Sequence, residues 1–256
     1  MSAALLAEWT KLRTLASTAW LLLGTAVATI GVGVVVVAGT HQSAGGGRDV
    51  TALALTGLDL GQAVVVVLAV LAVAEEYGTG MVRTTFAAMP RRLTVLAAKA
   101  TTLAVLTLGT GVVAVVGSLL AGRAALPAGE TGAGPGPVPG SITHGPTLRA
   151  AAGSVVYLVL VALLALGIAT VVRDTAVSIG VVLAVLYLPV LVAQAVSDPL
   201  RRHLEQLAPM TAGLGIRATT NLRGLPLPPW EGIGVVAGWA AGALLLAGLL
   251  LRRRDA

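Results

Sequence analysis

The segment Glu75-Glu76-Tyr77-Gly78-Thr79-Gly80-Met81-Val82-Arg83-Thr84-Thr85-Phe86-Ala87-Ala88-Met89-Pro90-Arg91-Arg92 brings carboxylates, hydroxyls, aromatic rings and guanidinium groups together in one short connection. Two carboxylates directly follow an apolar run, glycines mark a bend, and Arg83 and Phe86 precede Pro90. That order suits a short amphipathic helix lying along a membrane surface, which a soluble partner could grip by its protruding end. The chemistry is docking, by charge pairs and an aromatic anchor, and not bond making. A plainer reading is that the same charges only anchor two helix ends at the lipid headgroups.

Other chemistries lack their residues. A phosphate-cradling loop needs G-x-x-x-x-G-K-[ST], and neither Lys11 nor Lys99 follows a glycine, so nucleotide is expected on a partner and not on this chain. There is no cysteine, hence no thiol nucleophile, disulfide framework or Cys-based metal site. His41, His144 and His203 fall between the apolar runs, and the H-E-x-x-H pattern of zinc proteases is missing. The chain is therefore expected to be no enzyme in its own right, with no metal or cofactor of its own. Its +6 charge would suggest nucleic acid in a soluble protein, but aromatics suited to base stacking make up only 3% of it, and the basic residues cluster between apolar runs. No nucleic-acid partner is expected.

The elements that must position the segment are set by composition. The chain is 56% hydrophobic and 11% charged, with a mean hydropathy of +0.92. Soluble domains carry about 25% charged residues, so this chain has too few polar side chains to cover a folded globule, and its outside must face lipid. A helix crossing about 30 Å of hydrocarbon needs roughly 20 apolar residues. Six runs qualify, at about 20–39, 54–74, 100–122, 151–172, 175–196 and 232–251. The expected fold is all-α: one polytopic permease-like domain over residues 1–256, with six transmembrane helices and short amphipathic helices at the N-terminus and in the second-to-third connection. The first run is longer than the 7–15 or so residues of a signal-peptide core, which favours a retained span.

Lys and Arg set the expected orientation. Lys11, Arg13, Arg83, Arg91, Arg92, Lys99, Arg173 and Arg252 to Arg254 fall on one side, and Arg48, Arg123, Arg149, Arg201, Arg202, Arg217 and Arg223 on the other, over longer loops. The denser side is expected to be cytoplasmic, so both termini face inward. Of the outer loops, 123–150 contains Gly134-Pro135-Gly136-Pro137, a flexible linker by composition, while Ser197 to Trp230 suggests short surface helices interrupted by Pro209. Only Arg173 and Asp174 separate the fourth and fifth runs, which demands a tight antiparallel hairpin.

Asp59 is the one carboxylate in an apolar run, and it reads as an interfacial residue at a helix end or as a substrate or ion contact. Gly234, Gly238 and Gly242 recur every fourth residue on one helix face. They suit a close helix approach, between protomers or within one. Trp20 and Trp230 read as interfacial belts.

The Glu75–Arg92 segment resembles the coupling loop of type 2 ATP-binding-cassette transporter permeases: an acidic residue, an aromatic, a glycine bend, an aliphatic, then Arg and Thr. Glu75, Glu76, Tyr77, Gly80, Arg83, Thr84 and Thr85 fall on that pattern, while Gly78 stands where a longer polar residue is commoner. Glu8-Trp9-Thr10-Lys11-Leu12-Arg13-Thr14 resembles the amphipathic helix that leads into the first span of bacterial members, and the Arg173 hairpin and the Leu207–Gly213 stretch fit as well. The resemblance implies a bacterial cell-membrane transporter subunit, read here as an efflux permease, and the uncharged span interiors point to an apolar or amphipathic compound as its cargo. It also implies a separate cytoplasmic ATPase that binds the ATP and a second permease subunit. A non-transporting membrane subunit or assembly factor, and an ion-coupled secondary transporter, are the competing readings.

Overall fold

The computed structural model describes residues 2–40, 49–78, 92–126 and 145–253, with 2–4, 75–78, 92 and 198 described by backbone alone. Every regular element among them is helical. An N-terminal helix α1 (Ser2–Thr14) breaks at the extended Leu15 before α2 (Ala16–Gly39). Then come α3 (Val50–Ala54), a 3-10 turn over Leu55–Gly57, α4 (Leu58–Gly78), α5 (Arg92–Ala124), α6 (Gly145–Val172) and α7 (Thr175–Ala193). Two short helices, α8 (Asp198–Leu207) and α9 (Pro209–Leu214), precede α10 (Pro229–Arg253).

Six of these segments are long and apolar enough to cross a membrane: α2, α3–α4 together over Val50–Ala74, α5, α6, α7 and α10. The chain is a multi-pass membrane protein. Each apolar run expected from the sequence lies within a helix, except that the fifth helix ends at Ala193, three residues short of the run. The short helices expected around Pro209 are α8 and α9, each with a proline in its first turn, where the missing N–H would have had no partner anyway. The demanded hairpin is also present. Arg173 takes a left-handed φ of 63°, and Asp174 caps α7 by accepting from the Val177 amide at 2.8 Å.

The spans are not equivalent. Within the apolar stretch of the second span 67% of residues are buried, and in α6 56%, against 22% in α2, α7 and α10. The second span and α6 therefore form the core, and the others wrap it. Small residues allow this. At Gly57 and Gly33 a Cβ would fall 1.9 Å from the Thr29 carbonyl oxygen and 2.1 Å from the Ala54 carbonyl oxygen, so α2 and the second span pack backbone against backbone. The 3-10 turn beside Gly57 breaks the regular ladder of main-chain bonds, and the Ser118 hydroxyl of α5 donates to the Ala54 carbonyl there. Threonines inside spans settle their hydroxyls on their own helix, Thr25 on Leu21 and Thr29 on Thr25.

Glu8 on α1 accepts from Lys99 on α5 at 2.7 Å, with both side chains about nine-tenths buried. Leu12 is buried beside them, whereas Leu6 and Trp9 face outward. The helix thus turns its carboxylate toward the protein and apolar groups toward the lipid side. Leu93 of α5 lies against Gly248 of α10 at the same end. Helix α1, the ends of α4 and α10, the start of α5 and the Arg173 turn therefore share one end of the bundle, here the near end. Asp49, α8, α9 and the start of α6 occupy the far end.

Removing one partner of a buried ion pair strands the other charge, so Glu8→Ala or Lys99→Met is expected to destabilise by about 3 kcal/mol. The double change Glu8→Leu with Lys99→Leu should recover most of that, read as midpoints of thermal unfolding in detergent. Gly57→Ala should cost about 1–3 kcal/mol in the same measurement by overpacking against the Thr29 backbone.

Candidate functional site

At the near end the second span runs past its apolar stretch. Helix α4 continues through Glu75, Glu76 and Tyr77 and stops at Gly78, so these three residues stand on the last turn beyond Ala74. Gly80, Arg83, Thr84 and Thr85, and the short helix expected there, lie outside the described residues. Beside this turn, Lys11, Leu12 and Leu15 at the α1–α2 elbow share a cleft with Leu68, Leu71 and Ala72 of α4. The N-terminal helix and the end of the second span are therefore neighbours at the end from which the 79–91 connection departs.

At the far end the structure assembles polar residues that lie far apart in sequence. Arg217, in a 3-10 turn after α9, reaches both carboxylate oxygens of Asp59, at 3.0 and 3.1 Å. The second span begins at Val50, four residues before the apolar run, so Asp59 lies roughly 14 Å along the helix at 1.5 Å per residue. The guanidinium is what lets it lie there. The Tyr187 hydroxyl of α7 donates to the main-chain oxygen of Asp59, and Gln62 donates its amide to the same oxygen at 3.3 Å. The Tyr157 hydroxyl of α6 donates to Gln62 Oε1. Gln62 and Tyr157 are both wholly buried.

A second carboxylate holds the same loop. Asp49 caps α3 by accepting from the Ala52 amide at 2.9 Å, and it accepts from the Thr219 amide, the Thr219 hydroxyl at 2.6 Å and the Thr220 amide at 2.9 Å. Arg149 of α6 donates to the Ala218 carbonyl. Burial on its own would raise the Asp49 carboxyl. The hydrogen bonds from Thr219, Ala52 and Thr220 outweigh it and hold the group below the usual carboxylate value.

Sequence reading finds the near-end segment and Asp59 but misses this cluster. It treats Arg217 as one more loop cation and gives no role to Gln62, Tyr157 or Tyr187. The available signal was Gln62 three residues after Asp59, on one helix face, and two of the three tyrosines lying inside spans.

Among the described residues nothing packs closely on the glycine ladder of α10. A Cβ at Gly234, Gly238 or Gly242 would meet nothing within 4 Å. Helix α10 packs on the core through a different face, with Gly232, Ile233, Val236, Ala240 and Ala247 buried. Gly238 and Gly242 line an open apolar groove of about 620 Å³ with Leu164, Ile168 and Trp239, and the Trp239 indole donates to the Leu207 carbonyl at 2.9 Å. Among the described residues no group of three or more His, Cys, Asp or Glu is placed to hold a metal ion. No protein-family model matches the chain, and no curated protein matches it with significance.

Because the Asp49 carboxyl sits lower in the folded protein than in an unfolded chain, its ionised form adds stability in full above about pH 4. That contribution is lost as pH falls through the lowered folded value. Asp49→Asn is expected to be less stable than the parent at neutral pH and to show a shallower acid loss, measured as unfolding midpoint against pH.

Proposed function

We propose that the chain is the membrane-spanning permease subunit of an ATP-driven transporter of the type 2 ATP-binding-cassette kind, working as an exporter of an apolar or amphipathic compound. The observation that carries this reading is the Glu75–Arg92 connection. It leaves the most buried span one turn beyond its apolar stretch, at the end where the N-terminal helix also packs. A partner that moved the last turn of α4 would push directly on the core of the bundle. The resemblance of this connection to a coupling loop supplies the partner's identity, a cytoplasmic ATPase that binds the ATP this chain has no loop to hold. The near end is then the cytoplasmic end of a bacterial cell membrane, in keeping with its denser Lys and Arg.

The cargo class rests on the scarcity of charge in the span interiors, since a bare ion would need charged or polar lining, and the polar groups that are there, Gln62 and Tyr157, bond each other. Asp59, which a secondary transporter would use as an ion contact, is engaged by Arg217 instead. The open face at Gly234, Gly238 and Gly242 suits the second permease subunit, because small residues let helices of two protomers approach closely.

Affinity purification of the chain from its native membrane is expected to bring down a cytoplasmic ATPase with a phosphate-binding loop, in a complex whose ATP hydrolysis depends on lipid. Glu76→Ala with Arg83→Ala should weaken co-purification about tenfold or more, as losing interfacial charge contacts does, with helical content unchanged. A variant that keeps both the complex and export intact would refute the coupling role.

A further inference from the structure

The far-end loop is held by more polar contacts than so short a stretch needs for folding. Between Gly215 and Thr220 its only regular structure is one 3-10 turn. Over these six residues it contributes Arg217 to Asp59, Thr219 and Thr220 to Asp49, and the Ala218 carbonyl to Arg149. Each of these partners belongs to the second span or α6, the two core elements. Helix α9 leads into the stretch, and Asn221, with a left-handed φ of 49°, turns the chain away after it.

What lies beneath is polar. A Cβ on Gly213 would fall 2.5 Å from the Tyr157 ring, and Ile216 packs so closely on α6 that a Cβ on Gly153 would fall 2.0 Å from it. The α9 end therefore sits directly on the Tyr157 ring, whose hydroxyl is bonded to Gln62, and the 3-10 turn that follows sits on Gly153, one turn before Tyr157 on α6. An amide and a phenol are costly to bury, and two apolar residues of similar shape would fill that space without desolvation. The contacts above them differ in kind. The Asp59 and Arg217 side chains are 39% and 25% exposed, so the protein does not seal their pairing, and the Asp49 contacts to Thr219 and Thr220 lie before the span begins, where water can compete for them at modest cost.

We propose that residues 215–220 are a releasable strap that seals the far end of the helix bundle, and that its release opens the Gln62–Tyr157 pair to water. The grip consists of ionic and hydrogen-bonded contacts at the far end of the bundle, and the wholly buried Ile216 is the apolar plug. In a permease this strap is the far-end closure of the path, so its purpose rests on the proposed function, while its mechanics need no ATPase.

The absence of cysteine allows a direct test. Ser154 lies one turn before Tyr157 and next to Gly153, on which Ile216 packs; it is fully buried and its hydroxyl has no hydrogen-bond partner, so Ser154→Cys is a quiet reporter of water entry at this end of α6. The full chain carrying Ser154→Cys is placed in phosphatidylcholine vesicles and labelled with a membrane-impermeant maleimide. With the strap intact, labelling is slow. Adding Asp59→Asn or Arg217→Gln should speed it about tenfold, the size expected for losing a charged hydrogen bond. Arg217→Lys, which keeps the charge but places it on a differently shaped side chain than the one whose Nη1 both Asp59 oxygens share, should fall between.

Rates within twofold of the parent in Asp59→Asn and Arg217→Gln, with helical circular dichroism unchanged, overturn the strap. If either variant loses helicity, the decision passes to Arg217→Lys and Thr219→Val, where an unchanged rate overturns it equally. Failure to bind an ATPase would sink the permease reading and leave this labelling result standing. Unchanged labelling in a chain that does bind one would do the reverse.

Discussion

A polar group inside hydrocarbon has no water to turn to, and the arrangement of this protein follows from where each such group finds a partner. The main chain solves the problem by being helical throughout the spans. Where the second span slips into a 3-10 turn at Leu55–Gly57, the Ser118 hydroxyl from α5 bonds the Ala54 carbonyl, and glycines at 33 and 57 bring the neighbouring backbone close enough to seal the gap. Without that pairing the most buried span could not bend at its far third.

The same constraint sorts the side chains. Charges within or beside the spans appear as partnered groups: Lys99 with Glu8 at the near end, Asp59 with Arg217 at the far end. The two pairs have different characters. Glu8 and Lys99 are sealed from solvent and tie the N-terminal helix to α5, whereas Asp59 and Arg217 are partly open and tie a loop to the core. A buried pair is hard to break and suits a fixed elbow. A less enclosed one is easier to break, which suits the release proposed for 215–220.

The second span connects these ends. Asp49 and Asp59 near its start hold the 215–220 stretch, Gln62 reaches Tyr157 of the other core helix, and its last turn carries Glu75, Glu76 and Tyr77 out of the apolar region. The docking proposed at the near end and the closure proposed at the far end therefore both act on this one span.

Composition and run length alone determined the membrane location, the six spans, the Arg173 hairpin and the short helices around Pro209, because apolar length and proline position are local properties that hydrocarbon thickness and backbone geometry read directly. They also singled out Asp59 and the Glu75–Arg92 segment, whose residue types are unusual for their surroundings. Only the tertiary structure decided that the second span, interrupted by Asp59, is the most buried of the six. Only it decided that Arg217 is the partner of Asp59, across 158 residues, and that Glu8 faces inward to Lys99. A charge in a loop looks alike in sequence whether it meets water or a carboxylate. Which it meets depends on how the helices pack, and that packing turns on contacts such as Gly57 on Thr29, which no local pattern encodes.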